Sequence, residues 1–96
     1  METVLTESYC KELIMKLCRS LNWKLCPFDI WLGKPIVGLF SEKGRLIASS
    51  CFYDNMFRNF CEMTNDSSAL AYDEIPEYLK SVSSVEEMAV RINLAY

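Results

Sequence analysis

The side chains able to do chemistry in this sequence are carboxylates, amines, guanidinium groups and thiols, because histidine is absent. Histidine is the commonest general base and metal ligand, so its absence excludes Ser-His-Asp and Cys-His catalytic pairs. The sequence also lacks the glycine-rich phosphate-binding motifs GxxxxGK[ST] and GxGxxG. Adjacent acids occur at 73–74 and 86–87, but neighbouring side chains on a helix diverge by about 100° and do not converge on one substrate. We therefore expect a protein that is not an enzyme and that uses no cofactor.

Five cysteines are the other reactive groups, an odd number without a CxxC pair. Zinc ligands usually come in pairs about two to four residues apart, and a disulfide framework usually has an even number of cysteines. Reduced cysteine packs as a small apolar side chain. We therefore expect no metal site and five reduced thiols.

The charge pattern argues against a nucleic-acid ligand. Ten basic residues are scattered among thirteen acidic ones, for a net charge of −3, whereas phosphate backbones are bound by clusters of Lys and Arg. Residues 1–7 contain no basic segment followed by an apolar run, and no apolar stretch approaches the roughly 20 residues of a membrane span. We expect a cytoplasmic protein that contacts neither nucleic acid nor membrane.

The elements that position these residues begin with an amphipathic helix. A length of 96 residues with 51% hydrophobic side chains predicts a single domain, residues 1–96. Apolar residues at helical spacing predict a helix over 7–21 with Thr6 as its N-cap. Leu17 lies at the centre of the expected apolar stripe.

Three strands are predicted after this helix, over 28–32, 36–41 and 46–53. A turn is expected at 33–35, and Gly44 supplies the positive φ that a tight hairpin between the second and third strands needs. Alternation directs Phe28, Ile30 and Leu32 to the core and Trp31 to the opposite face. All five phenylalanines are expected in the core: Phe28, Phe40, Phe52, Phe57 and Phe60.

The second half of the chain is predicted to be mainly helical. Residues 54–63 form either a helix capped by Asp54 or, after a second hairpin, a strand over 57–63. A short strand is expected at 69–72 and a short helix at 73–82, and the capping box at 84–87 opens the last helix. The resulting fold is α+β: an N-terminal helix, an antiparallel meander of three or four strands, and C-terminal helices packed on one sheet face.

Two features suggest a surface for a partner. Trp31 is either covered by a helix or exposed as an interface anchor, since tryptophan and tyrosine dominate binding hot spots. The segment 72–78 places three carboxylates between two tyrosines, and no basic residue lies between Arg58 and Lys80 to offset them. This segment is either a solvated helix start or an acidic docking surface, formed by Tyr72, Asp73, Glu74, Glu77 and Tyr78.

The leading functional hypothesis is a non-enzymatic protein that binds and blocks another protein with a basic site. Carboxylates presented to such a site take the place of phosphate charges. Immunity proteins, antitoxins and phage-encoded inhibitors of nucleases or nucleic-acid-binding proteins act in this way. The alternative is an adaptor or subunit of a larger assembly, and a further alternative is a small enzyme that uses only Asp, Glu or Lys.

Overall fold

The computed structural model describes residues 5–96. In chain order its elements are α1 (Glu7–Leu21), β1 (Lys24–Trp31), β2 (Lys34–Phe40), β3 (Leu46–Ser50), α2 (Tyr53–Met63), two 3-10 turns (Tyr72–Glu74 and Glu77–Leu79) and α3 (Val85–Ala95). The strands form one antiparallel sheet in the order β1-β2-β3. This arrangement confirms the α+β fold. The first four residues of the segment used to exclude a signal peptide lie outside the described range.

Helix α1 has the predicted bounds and the predicted cap. The backbone N–H of Tyr9 donates to Thr6 Oγ1 at 3.2 Å. The apolar stripe is buried, and Leu17 at its centre has no exposed surface. This stripe packs on α2, which in turn packs on β3, so the core lies between one face of the sheet and the helices.

The ambiguous segment after β3 is a helix and not a second hairpin. Strand β3 ends at Ser50, three residues earlier than predicted, and α2 begins at Tyr53. Phe52, and not Asp54, occupies the N-cap position, while the Asp54 carboxylate accepts from the N–H of Asn55. The prediction that Phe52 is a core residue is wrong, because its side chain is exposed where the chain leaves the sheet.

The predictions for 69–72 and 73–82 are also wrong, since the chain forms neither a strand nor an α-helix there. The two 3-10 turns are separated by Ile75 and Pro76, whose ψ angles of 125° and 145° are extended. Proline disfavours a helical conformation in the residue before it, so Ile75 ends the first turn. Proline is tolerated in the first turn of a helix because no helical residue needs to precede it. Here residues 72–74 already form a turn before Pro76, so the helix cannot continue through it.

The last helix begins with a variant of the predicted capping box. Ser84 Oγ accepts from the N–H of Glu87 at 3.1 Å, as expected for an N-cap. The reciprocal bond reaches one residue further back, because the Glu87 carboxylate accepts from the N–H and hydroxyl of Ser83. Helix α3 is therefore anchored at its start by both partners of the motif.

Candidate functional site

The end of the β1–β2 hairpin carries the largest exposed apolar side chains of the sheet. The side chains of Phe28, Ile30, Trp31 and Leu32 are 48%, 71%, 59% and 82% exposed. We call these four residues the hairpin end. The prediction that Phe28, Ile30 and Leu32 belong to the core is wrong, and of the two alternatives for Trp31 the structure shows the exposed one.

The far part of β1 is exposed on both faces, although its side chains alternate. The pairing register between β1 and β2 shifts between Pro27 and Asp29, so Phe28 is the extra residue. Beyond this bulge Ile30 pairs with Pro35, on the face of β2 that carries the buried Leu39, so Ile30 keeps the facing that alternation predicts. The strand begins at Lys24, four residues earlier than predicted, and each of its residues after Leu25 is exposed, so its far end lies beyond the buried part of the sheet.

Phe28 has a structural role in addition to its exposure. Its ring packs edge-on against Phe40 at 5.7 Å between centroids. Both rings lie over Gly38, where an added Cβ would come within 2.9 Å of Phe28 and 2.7 Å of Phe40. The absence of a side chain at Gly38 therefore lets Phe28 close onto the sheet. Ile30, Trp31 and Leu32 remain as the freely presented members of the hairpin end.

Shallow apolar depressions flank the hairpin end on both sides. The depression on the Ile30 side is lined by Pro27, Phe28, Asp29 and Pro35 as well as Ile30. The depression on the Trp31 side is lined by apolar side chains and by three polar residues: Trp31, Ile36, Cys51 and Phe52, with Ser49, Ser50 and Asn55. Trp31 and Ile30 are successive strand residues and therefore project to opposite faces. A partner could therefore contact the hairpin from either face.

The two charged residues near the hairpin end are directed back onto the protein. Asp29 Oδ1 accepts from the N–H of Ile30 at 2.8 Å. The Lys34 ammonium lies over the ring of Phe52, 4.6 Å from its centroid. Residues 25–41 contain no other charged side chain. The surface around Trp31 and Leu32 is thus apolar and electrically neutral.

The acidic segment 72–78, in contrast, has internal cations for its carboxylates. Arg45, from the β2–β3 turn, lies 3.1 Å from the Asp73 carboxylate and 3.6 Å from that of Glu74. Lys80 lies 3.1 Å from Glu77. The expectation that no basic residue offsets this segment is therefore wrong, since three carboxylates face two cations.

The aromatic residues of this segment are also used within the fold. The buried Lys80 ammonium lies over the Tyr72 ring, 3.8 Å from its centroid. Tyr78 is 45% exposed and packs its ring edge-on against Tyr96 at 6.1 Å, and its partial burial raises the pKa of the Tyr78 phenol. Glu77 remains the freest carboxylate, with 91% of its side chain exposed.

Trp31 and the acidic segment lie at opposite ends of the sheet. Trp31 pairs with Lys34 beside the β1–β2 turn, whereas Arg45, which holds the acidic segment, follows the β2–β3 turn. These turns are separated by the length of β2, about 20 Å at 3.3 Å per residue. The predicted site residues therefore belong to two surfaces and not to one.

The cysteines are free thiols in separate environments. Burial raises the pKa of the Cys61 thiol to about 12, and it raises the pKa of Cys10 and Cys18 as well. Cys26 lies exposed on β1, and Cys51 is half-buried. Across residues 5–96, no three Cys, Asp or Glu side chains come together as metal ligands would.

A groove between α2 and the start of α3 is another candidate site. It is lined by residues 82–85 together with Arg58, Cys61, Glu62 and Asn65. Asn65 Nδ2 donates to the carbonyls of Cys61 and Val82, which joins the two sides of the groove. Asn65 therefore has a structural role in this groove, and the hairpin end is the better candidate for function.

Comparisons with known proteins indicate no function, so the candidate site rests on its geometry. In the described part of the chain, none of the helices has the length and apolar character needed to cross a membrane. The chain matched no protein-family model, no curated protein and no solved structure.

Proposed function

We propose that this protein acts by binding another protein, and that the hairpin end is its contact surface. The observation that carries the proposal is the exposure of Ile30, Trp31 and Leu32 together at one end of the sheet. Single exposed apolar residues are common on proteins, but three successive ones with an aromatic anchor favour an interaction site.

The chemistry of the hairpin end favours an apolar partner surface. Interface cores are depleted in charge and enriched in aromatic side chains, as this surface is. Nucleic acids and anionic membranes are bound through clustered cations, and the nearby Lys34 is a single cation engaged with Phe52. The partner is accordingly a protein with an uncharged apolar cleft. This differs from the expectation of a basic partner site, which rested on the acidic segment.

Contact is made by side chains and not by addition of a strand to the sheet. Strand β1 lies at the edge of the sheet, where an incoming strand could pair with it. Pro27 and the adjacent register shift interrupt that edge. Both are devices that prevent edge-to-edge pairing in natural sheets. The apolar side chains just beyond them remain available.

We further propose that binding blocks the partner. The hairpin end is exposed on both faces, as an insertion into a cleft requires, and an occupied cleft excludes the partner's own ligand. This is the mode of action of inhibitors such as immunity proteins, antitoxins and phage-encoded inhibitors. The alternative, an adaptor or subunit of a larger assembly, would use the same surface without loss of partner activity.

Position-specific crosslinking tests the proposed surface. A photo-crosslinking amino acid replaces Trp31 in one variant and Leu70, a 70% exposed residue away from the hairpin end, in a matched control. We expect a protein that is joined at position 31 and not at position 70. That protein is then purified, and its affinity for the unmodified chain, Trp31→Ala and Leu70→Ala is measured by calorimetry.

The proposal is supported if Trp31→Ala weakens binding at least tenfold while Leu70→Ala leaves it unchanged. It is contradicted if no protein is joined at position 31 in preference to position 70, or if Trp31→Ala binds like the unmodified chain. Loss of binding in Asp73→Lys/Glu77→Lys with normal binding by Trp31→Ala would assign the interface to the acidic segment. An assay of the partner's own activity with one equivalent of this protein separates a blocker from an adaptor.

A further inference from the structure

The turn of the β1–β2 hairpin has an unusual residue at its first position. Trp31 and Lys34 are the last paired residues, so Leu32 and Gly33 form a two-residue loop. Both have positive φ angles, 49° and 78°. Positive φ at both central positions is the requirement of a type I′ turn, which strongly prefers Asn, Asp or Gly.

Leucine is poorly suited to this backbone conformation. In the left-handed region the Cβ of an L-residue crowds the following carbonyl oxygen, and a bulky aliphatic side chain there is an outlier. Gly33 avoids the strain because it has no Cβ. Asn22, which ends α1 with a φ of 58°, is a residue type that tolerates this conformation. Leu32 has neither advantage.

Packing of the Leu32 side chain within the protein does not offset this backbone strain. The Leu32 side chain is 82% exposed, so it gains little from burial. Its neighbours Trp31 and Gly33 are exposed as well. The residue therefore lowers the stability of the free protein through its backbone, and its side chain gains too little burial to offset that loss. Strained residues of this kind cluster at functional sites, where binding makes use of them.

We infer that Leu32 is a binding residue that this chain carries at the expense of stability, and that it inserts into an apolar, uncharged pocket of the partner protein. The inference rests on the proposed function and names the partner's chemistry more closely. The nearest charged groups, Asp29 and Lys34, are turned onto Ile30 and Phe52, so no charge accompanies the leucine into the pocket. A pocket lined with apolar side chains and without ionised groups is the complement of this tip.

The test separates the stability of the free protein from binding. Leu32→Asn places a residue favoured by the turn at the same position and removes the apolar tip. We expect its melting temperature to rise by about 4 °C or more, since this is the shift that a modest gain in stability gives in a domain of this size. Leu70→Asn makes the same chemical change at an exposed position without positive φ, and we expect its melting temperature to be unchanged.

Binding is measured against the purified protein that crosslinks at position 31. The inference predicts that Leu32→Asn, although more stable, binds that protein at least tenfold more weakly, while Leu70→Asn binds normally. An unchanged or lower melting temperature for Leu32→Asn would overturn the inference, because the leucine would then impose no cost on the fold.

The remaining outcomes distinguish this inference from the proposed function. If Trp31→Ala loses affinity and Leu32→Asn keeps it, the hairpin end is the interface but Leu32 is not an anchor. If both variants bind normally, the proposed function fails as well. Cosedimentation of the unmodified chain with neutral phosphatidylcholine vesicles, lost in Leu32→Asn, would assign the tip to a membrane. A concentration-dependent doubling of mass, lost in the same variant, would assign it to a second copy of the chain.

Discussion

The acidic segment 72–78 and the hairpin end differ in whether the fold satisfies their side chains. In the acidic segment, Arg45 and Lys80 lie within ion-pair distance of the carboxylates, and Tyr72 and Tyr78 each have an internal partner. At the hairpin end, Ile30, Trp31 and Leu32 are mostly exposed. A cluster that is conspicuous in sequence can therefore be structural, and a strand that looks ordinary can carry the free surface.

Distance along the chain explains why the sequence suggested the acidic segment and not the hairpin end as the free surface. Arg45 lies 28 residues before Asp73, so its pairing depends on the tertiary fold, and charge counted in a local window misses it. The apolar residues of the hairpin end, in contrast, form an almost continuous run that local rules assign to the interior. Exposure of that run depends on where the helices end relative to the sheet, which is again a property of the whole fold.

The largest expected effect compares the two ends of the same hairpin. Leu39 lies in β2 with no exposed surface, whereas Ile30 in β1 is mostly exposed. We expect Leu39→Ala to lower the free energy of unfolding by about 2–5 kcal/mol because it leaves a cavity. Ile30→Ala should change it by no more than about 0.5 kcal/mol, as for other surface positions. Urea unfolding monitored by circular dichroism measures both values.

A large loss of stability in Ile30→Ala would contradict the comparison. It would show that the hairpin end supports the fold, so that its apolar side chains need no partner to explain them. A small loss in Leu39→Ala would instead show that the buried end of the sheet is loosely packed.

The parts of the fold that sequence predicted are those controlled by local patterns. Helix α1 has its predicted bounds because a continuous apolar stripe and Thr6 specify both its face and its start. The β2–β3 hairpin follows from Gly44, whose φ is 82°. The capping motif at Ser84 located α3 for the same reason.

The parts that sequence missed depend on single residues with non-local consequences. Nothing in the local pattern marks Phe28 as a bulge, which bends β1, or shows that the strand beyond Leu25 is left uncovered. Pro76 was compatible with the start of a helix, but residues 72–74 already formed a turn before it. The candidate site was predicted in part, since Trp31 was named, whereas Ile30 and Leu32 were assigned to the core.

The next effect concerns the cation that holds the acidic segment. The Glu74 side chain is only 10% exposed, and among residues 5–96 its Oε2 has no hydrogen-bond donor, so Arg45 is its charge partner at 3.6 Å. We expect Arg45→Ala to lower the free energy of unfolding by about 1–3 kcal/mol, because a buried carboxylate then lacks compensation. Denaturant unfolding measures the loss, and Lys43→Ala in the same turn is the control.

The double variant Arg45→Ala/Glu74→Gln sharpens this prediction. Removing the buried charge should restore part of the lost stability, since the neutral amide tolerates the site better. If Arg45→Ala and Lys43→Ala have the same small effect on the free energy of unfolding, Arg45 does not hold the acidic segment. The carboxylates of that segment would then be available to a partner.

A smaller effect is expected from the carboxylate at the start of α3. Hydrogen bonds from the Ser83 hydroxyl and N–H and from Arg91 lower the pKa of Glu87 to about 2. Because the pKa is lower in the folded state than its usual 4.5, this stabilisation is complete above pH 4.5 and is lost as the pH falls toward 2. Glu87→Gln should therefore melt below the unmodified chain at pH 7.

The difference between the two melting temperatures should shrink as the pH falls from 4.5 toward 2. A difference that is independent of pH would show that the Glu87 charge is not engaged by Ser83 and Arg91. Glu86→Gln, which changes the neighbouring exposed carboxylate, is the matched control and should show little difference at any pH.

The smallest expected effect is the response of binding to salt, and it compares the two surfaces directly. Attraction between exposed charges is screened over a Debye length of about 10 Å at 0.1 M salt and about 3 Å at 1 M. An interface centred on the acidic segment would therefore lose association rate steeply as salt rises. An interface centred on Trp31 and Leu32 does not depend on charge attraction, so we expect the association rate to change less than about threefold between 50 and 500 mM NaCl. Stopped-flow association with the protein that crosslinks at position 31 measures the rate at each salt concentration.

The charge-reversal variant Asp73→Lys/Glu77→Lys should leave the association rate within about twofold at low salt, since those residues lie at the far end of the sheet. An association rate that falls tenfold with salt and is lost in the charge-reversal variant would place the interface at the acidic segment, despite its internal cations.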